Sequence, residues 1–167
     1  MSSMVTLIAQ TAPLERDLKI ESRQATDADV PRLGELYFSA YDPGVASESL
    51  DAAVADIHAS FAGKYGNYLH LASPVALNDA GEIIAAIMVV ERATWPETPD
   101  APFIIELFTD RNHRRQGLAE ELVQASMDAL FNAGHKEIAL RVDSENAAAL
   151  ALYLSLDFRR WYPEEED

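Results

Sequence analysis

The sequence contains no cysteine. Disulfide bonds, a thiolate nucleophile and a cysteine-based zinc site are therefore excluded. The histidines are few and fall in different predicted elements, without the helical spacing of four residues that a zinc-binding pair requires. They are His58, His70, His113 and His135. We therefore predict no metal site.

Basic residues are scarce as well, with 13 Lys and Arg against 28 Asp and Glu and a formal net charge of −15. A field of this sign repels the phosphates of nucleic acids and the surface of anionic membranes. It favours cationic partners such as amines, and it also serves solubility. We therefore expect no nucleic-acid partner.

Long apolar runs are missing too, so no segment is predicted to span a membrane. The N-terminal residues MSSMVTLIAQ lack the basic start and the long apolar core of a signal peptide. We expect a cytoplasmic protein without a membrane partner. A chain of 167 residues suits one domain. We predict a loose arm over residues 1–16, one domain over 17–163 and a solvated acidic tail over 164–167.

The strongest pattern lies in residues 104–130. Ile104–Asp110 is apolar and β-rich, which predicts a strand, and from Gly117 onwards apolar residues recur at helical spacing. The loop between them carries three of the few basic residues, Arg111, Arg114 and Arg115. The first N–H groups of a helix lack partners and attract anions, and glycine has no Cβ to block their approach. This stretch therefore predicts an anion site that suits a diphosphate.

Shorter patterns predict the remaining elements. Strands are expected near 18–22, 73–77, 83–90, 104–110, 138–142 and 157–162, and helices near 26–40, 47–62, 117–130 and 147–154. This order predicts an α/β fold of the α+β type. We expect a central, mixed, mostly antiparallel twisted sheet of six or seven strands, with helices on both faces.

The loop and helix start resemble a known family. Arg114-Arg115-Gln116-Gly117-Leu118-Ala119 is similar to the Arg/Gln-x-x-Gly-x-Gly/Ala motif of the GCN5-related N-acetyltransferases. In that family this motif holds the pyrophosphate of acetyl-coenzyme A. The resemblance implies an acyl-coenzyme A N-acyltransferase fold, with acetyl-coenzyme A as co-substrate and these six residues as its binding positions.

A second motif resembles the same family. Asn146-Ala147-Ala148-Ala149-Leu150-Ala151-Leu152-Tyr153, followed by Leu156-Asp157-Phe158, is similar to the family pattern Asn-x-x-Ala-x-x-Leu-Tyr-x-x-x-Gly-Phe. In the family, the Asn contacts the coenzyme or fixes the backbone, and the Tyr lies near the thioester sulfur. Asp157 departs from the usual Gly, but aspartate tolerates a left-handed backbone better than most residues. Tyr153 is also open to a simpler interpretation as a core aromatic residue.

The resemblance assigns further roles along the pivotal strand. Backbone groups at Leu107, Phe108 and Thr109 are expected to bind the pantetheine arm like an added strand. The implied reaction is direct attack of a primary amine on the acetyl thioester, with Tyr153 as proton donor. The base is Glu106, Glu91 or a water molecule linked to them. Some protein N-terminal acetyltransferases of the family carry Glu in the strand before the Asn motif, where this chain has Arg141.

The leading hypothesis is thus an N-acetyltransferase that acts on an amine of a small molecule or peptide. A non-catalytic module that senses acyl-coenzyme A is the alternative, and an interaction domain with a decayed site is a third interpretation. The sequence leaves a homodimer open.

Overall fold

The structure is a computed structural model, and it describes residues 3–42 and 44–163. The predicted acidic tail 164–167 lies outside the described residues, as does Pro43 in the turn predicted to end the first helix. No helix in the described ranges combines the length and the apolar composition needed to cross a membrane.

The described residues form seven strands and four α-helices. The strands are β1 (Met4–Gln10), β2 (Glu21–Gln24), β3 (Pro74–Leu77), β4 (Ile83–Val90), β5 (Phe103–Thr109), β6 (Glu137–Asp143) and β7 (Arg159–Arg160). The helices are α1 (Val30–Ala40), α2 (Leu50–Phe61), α3 (Leu118–Asn132) and α4 (Ala147–Ser155). From β2 onwards this is the predicted order of elements.

All seven strands belong to one sheet, in the order β2-β3-β4-β5-β6-β1-β7. Every neighbouring pair is antiparallel except β5 and β6, which are parallel. The apolar side chains form two clusters. One contains α3 residues such as Leu122 and α4 residues such as Tyr153, and the other contains α1 and α2 residues such as Leu36 and Ile57. The predicted mixed sheet with helices on both faces is confirmed.

The predicted loose N-terminal arm is wrong. Residues 4–10 form β1, which lies between β6 and β7 and pairs with both. Val5, Leu7 and Ala9 are buried, while Met4 and Ile8 put further apolar side chains on the opposite face. An interior strand with apolar residues on both faces shows little of the alternation by which strands are recognised in a sequence.

The connection from β1 to β2 is also ordered by contacts with α3. The Leu14 N–H donates to Asp128 at 2.9 Å, and the Arg16 guanidinium reaches the buried carboxylate of Glu121 at 3.0 Å. The Lys19 N–H donates to the same carboxylate at 3.2 Å. The strand predicted at 18–22 therefore begins later, at Glu21, because the backbone at Lys19 bonds to a helix side chain and not to a strand.

Candidate active site

The sheet opens between its two parallel strands. β5 and β6 pair only at Phe103–Ala139 and Ile104–Leu140. Beyond Ile104, β5 keeps β4 as its strand neighbour but makes no further described pairing with β6. Residues from both strands then line a hollow of about 290 Å³.

A β-bulge in β5 directs Glu106 into this opening. Met88 pairs with Glu106 while the next residue, Val89, pairs with Ile104, which leaves Ile105 as the extra residue. A bulge shifts the alternation of faces along a strand. Phe103 and Phe108 accordingly lie in the same apolar cluster although they are an odd number of positions, five, apart in the strand.

Two tyrosines hold the Glu106 carboxyl group. The Tyr37 hydroxyl donates to Oε1 and the Tyr41 hydroxyl to Oε2, each at 3.3 Å. Burial raises the pKa of Glu106 to about 7, although the two tyrosine hydrogen bonds act in the opposite direction. The charge of Asp56 adds to the upward shift. A carboxyl group with this pKa exchanges a proton near neutral pH, as a general base must.

The tyrosines that surround Glu106 stay protonated over the same pH range. Burial, and then the Glu106 charge, raise the pKa values of Tyr37 and Tyr41. The same two causes raise the pKa of Tyr153 to about 12. Each phenol is therefore available as a hydrogen-bond or proton donor at neutral pH.

Tyr153 lies on α4 at the same hollow as Glu106. Its side chain is buried, with its ring centroid 5.5 Å from that of Phe158 in an edge-on arrangement. Its hydroxyl has no hydrogen-bond partner in the described ranges of the chain. The packing is thus compatible with Tyr153 as a core aromatic residue and with Tyr153 as a proton donor. The ring is buried, and its hydroxyl, which has no described partner, lies at the hollow.

The side chain of Asn146 is hydrogen-bonded to the backbone of α4. Its side-chain oxygen accepts from the Ala149 N–H at 3.1 Å, which caps the start of α4. The side chain of Asn146 also lines the hollow between the parted strands. Asp157, at the end of α4, adopts a left-handed backbone with φ of 69°, so the turn survives the replacement of the usual Gly.

A second cleft, of about 470 Å³, lies where β5 leads into α3. It contains the β5 backbone, the basic loop and the start of the helix. Its lining includes Leu107, Phe108, Thr109, Arg114, Arg115, Gly117, Leu118 and Ala119. Gln116 is exposed and does not contribute to this lining.

The three arginines of the loop differ in their contacts. Arg111 donates to the Ser39 carbonyl at 2.8 Å and pairs with Asp42 at 3.1 Å. Arg114 donates to the carbonyl oxygen of Ala40, so it also holds the end of α1. Arg115 makes no described hydrogen bond or ion pair, and its side chain is therefore available to an anion.

Gly117 begins α3 with a left-handed backbone, at φ of 76°. A Cβ built at this residue would meet no atom within 4 Å, so the space beside the helix start is open. Open space, unpartnered helix N–H groups and the free Arg115 guanidinium together suit a phosphate group.

Glu91 is not brought into this site. It follows the end of β4, is exposed, and accepts a hydrogen bond from the Asn67 amide at 2.9 Å. Its neighbour Val90 pairs with Phe103, three residues before Glu106. Within residues 3–42 and 44–163, no group of three or more acidic or histidine side chains is arranged to hold a metal ion.

Sequence reasoning missed Tyr37 and Tyr41 as site residues. Tyr37 reads as one member of the apolar stripe of α1, and Tyr41 follows the helix end. Their spacing of four residues places them on one side of the helix, and this signal could have indicated a shared contact.

Comparisons with known proteins agree with this architecture. The model of the acetyltransferase (GNAT) family matches residues 31–158. Mycothiol acetyltransferase of Kocuria rhizophila is 37% identical over 70 residues, which cover 40% of this chain and 23% of that protein. The chain spans less than half the length of the curated relatives it matches.

Two solved structures share the fold. A GCN5-related N-acetyltransferase from Sphaerobacter thermophilus has a TM-score of 0.70 at 16% identity, over 96% of this chain and 49% of that one. AAC(6')-Iy, in complex with the bisubstrate analogue CoA-S-monomethyl-acetylneamine, has a TM-score of 0.65 at 20% identity. That alignment covers 89% of this chain and 95% of the other.

Proposed function

Because the chain belongs to the acetyltransferase (GNAT) family, we propose that it transfers an acetyl group from acetyl-coenzyme A directly to a primary amine. The observation that carries the proposal is Glu106, a carboxyl group with a pKa near 7 in the gap between β5 and β6. The gap and the cleft at the α3 start share Tyr41 and Leu107 in their linings. The similarity to AAC(6')-Iy, whose structure is a complex with a coenzyme A bisubstrate analogue, is consistent with this co-substrate.

The cleft at the start of α3 suits the diphosphate of the coenzyme. Arg115 is free to bind a phosphate oxygen, and Gly117 leaves room for close approach to the helix N–H groups. The unpaired side of β5 at Leu107 to Thr109 can bind the amides of the pantetheine arm, as a strand would. Acetyl-coenzyme A supplies an acetyl group already activated as a thioester.

Glu106 serves as the general base. An amine is protonated at neutral pH, so it must lose a proton before its nitrogen can attack a carbonyl carbon. Glu106 accepts that proton, directly or through one water molecule, while Tyr37 and Tyr41 fix its two oxygens. As the new C–N bond forms and the C–S bond breaks, Tyr153 donates a proton to the departing sulfur, and the second proton lost by the nitrogen restores the Tyr153 phenol.

The test compares the two candidate carboxylates by the same change. Thiol release is measured over a broad panel of primary amines for the wild type, Glu106→Gln and Glu91→Gln. We expect Glu106→Gln to lower kcat/KM by about 100-fold, a typical contribution of general base catalysis, and Glu91→Gln to have little effect.

Calorimetric titration with acetyl-coenzyme A accompanies this assay. Tight binding without thiol release for any amine would contradict the transferase and favour a sensor of acyl-coenzyme A. Equal losses in both glutamate variants would contradict the assignment of Glu106.

A further inference from the structure

Most described arginines have a carboxylate partner, as the acidic composition leads one to expect. These are Arg16, Arg23, Arg32, Arg92, Arg111 and Arg159. In the described ranges, the arginines without such a partner are Arg114, Arg115, Arg141 and Arg160. Arg114 and Arg115 line the cleft at the α3 start, and Arg160 lies over the Tyr162 ring. Arg141 is the remaining described arginine whose charge has no such partner, and its surroundings suggest a ligand for it.

Arg141 lies on β6 and lines the hollow between the parted strands. Its guanidinium carbon lies 6.0 Å from the centroid of the Trp95 ring. Its Nη2 donates to the Pro96 carbonyl at 2.9 Å, and the other guanidinium nitrogens make no described hydrogen bond. The guanidinium is therefore held in place by the 91–102 loop while part of its donor fork stays free.

Two neighbouring hollows meet at Arg141. The first, of about 290 Å³, also contains Glu106 and Tyr153. The second, of about 250 Å³, is otherwise lined by apolar side chains. They are Met4, Trp95, Phe103, Ile104 and Ile105. An acceptor whose amine reaches Glu106 therefore lies beside the Arg141 guanidinium and the apolar lining of the second hollow.

We propose that the acceptor is a free amino acid with an apolar side chain, whose carboxylate is bound by Arg141. This inference rests on the proposed function. The planar fork of arginine matches a carboxylate, and a partly buried guanidinium binds one more strongly than an exposed one. The apolar second hollow receives the side chain. The amine then lies toward Glu106 and is the group that is acetylated.

Asp143 is the carboxylate that could compete for Arg141, since it lies two residues away and lines the first hollow. Its Oδ1 accepts from the Glu145 N–H at 2.9 Å, and no ion pair joins it to Arg141. Asp143 thus serves the turn before α4. Arg141 keeps its positive charge for a ligand, in a chain whose overall charge of −15 would otherwise repel the carboxylate of the acceptor.

The test uses pairs of acceptors that differ only in the carboxylate. L-phenylalanine is compared with 2-phenylethylamine, and L-methionine with 3-(methylthio)propylamine, by the kcat/KM of thiol release. The wild type should prefer the amino acid of each pair by about tenfold or more, the size of one charge-assisted hydrogen-bonded contact. Arg141→Gln should abolish this preference, and Arg141→Lys should retain part of it. Arg160→Gln, which removes an exposed arginine that lines neither hollow, should leave the preference as in the wild type.

A binding measurement separates this inference from the proposed function. N-acetyl-L-phenylalanine and N-acetyl-2-phenylethylamine are titrated calorimetrically into the protein with coenzyme A, in the wild type and in Arg141→Gln. Tighter binding of the carboxylate in the wild type alone supports the inference even if no amine is turned over. Turnover of amines without any preference for the carboxylate would overturn the inference and leave the transferase intact. Equal affinity for both acetylated compounds would overturn it too.

Discussion

The Tyr41 hydroxyl donates a hydrogen bond to Oε2 of Glu106 across 3.3 Å. Tyr41 follows the last residue of α1, whereas Glu106 lies beside the bulge in β5. The helix end and the strand are thus joined at the group that we propose as the base. Burial raises the pKa of Glu106, and this hydrogen bond limits the rise.

We predict that Tyr41→Phe moves the acidic limb of the pH–rate profile to higher pH. Removing the donor leaves the carboxylate less stabilised, so its pKa rises above the present value of about 7. The measurement is kcat/KM against pH, with Tyr162→Phe as a control at an exposed tyrosine. A midpoint that stays in place or falls in Tyr41→Phe would contradict the assignment.

A second prediction concerns stability. The pKa of Glu106 is about 7 in the folded chain against an ordinary value of 4.5, so the folded state binds more protons between these pH values. Stability contributed by this group therefore falls as the pH rises through that window. Glu106→Gln should be more stable than the wild type at pH 8, and its advantage should grow by about 2 kcal/mol from pH 5.5 to pH 8.

Urea unfolding at several pH values measures this advantage, and Glu91→Gln is the matched control because Glu91 is exposed. An advantage that does not change with pH would show that Glu106 ionises in the folded state as it does in the unfolded state.

Arg115→Gln should weaken the binding of acetyl-coenzyme A with little effect on Tm. Its guanidinium is free, and an exposed ion pair contributes about 1 kcal/mol, so Kd should rise about fivefold, most at low salt. Arg114→Gln should weaken binding and also lower Tm, because Arg114 holds the Ala40 carbonyl. Calorimetry and thermal unfolding give both quantities. Unchanged affinity in both variants would remove the diphosphate assignment.

Gly117→Val should impair coenzyme binding more than it impairs folding. The left-handed backbone strains any branched residue there, and the added side chain stands before the helix N–H groups. Gly81→Val is a close control, since Gly81 has φ of 80° and equally open surroundings but lies in the turn between β3 and β4. Both variants should lose similar stability, while only Gly117→Val should lose affinity. If Gly117→Val and Gly81→Val bind the coenzyme with similar affinity, the anion site does not lie at Gly117.

Tyr153→Phe should fold normally and bind acetyl-coenzyme A about as well as the wild type, because the ring packing against Phe158 is kept. Loss of a general acid typically lowers the rate by about 100-fold, but a thiolate leaves readily, so a smaller loss is expected here. We expect kcat and kcat/KM to fall together. A wild-type kcat would identify Tyr153 as a packing residue and water as the proton donor.

The sequence predicted the elements whose patterns are local. The strand before Gly117, the helix after it and the cap at Asn146 all follow from short-range periodicity and capping rules, and the structure contains each of them. Leu107 and Arg115 were likewise assigned to one site, and they line one cleft.

The features that sequence reasoning missed depend on distant pairing. β1 is recognisable only through β6 and β7, because its own residues are apolar on both faces. Tyr41 contacts Glu106 only because the bulge changes the face on which the Glu106 side chain lies. The residues around Ile105 contain no pattern that predicts a bulge. The pKa of Glu106 depends in turn on its burial and on the hydrogen bonds from Tyr41 and Tyr37. The sequence alone also does not show that Glu91 is exposed.

The position of β1 inside the sheet has a consequence for the order of events during synthesis. Ser3, just before β1, and Ser144, just after β6, bond to each other although they lie 141 positions apart in sequence. At an elongation rate of about 5–20 residues per second, β1 waits on the order of ten seconds before its partner strands exist. Until then an apolar strand has no neighbour, and such segments attract chaperones or aggregate. The sheet can be completed only after β6 and β7 have been synthesised, and contacts this distant slow the final step of folding.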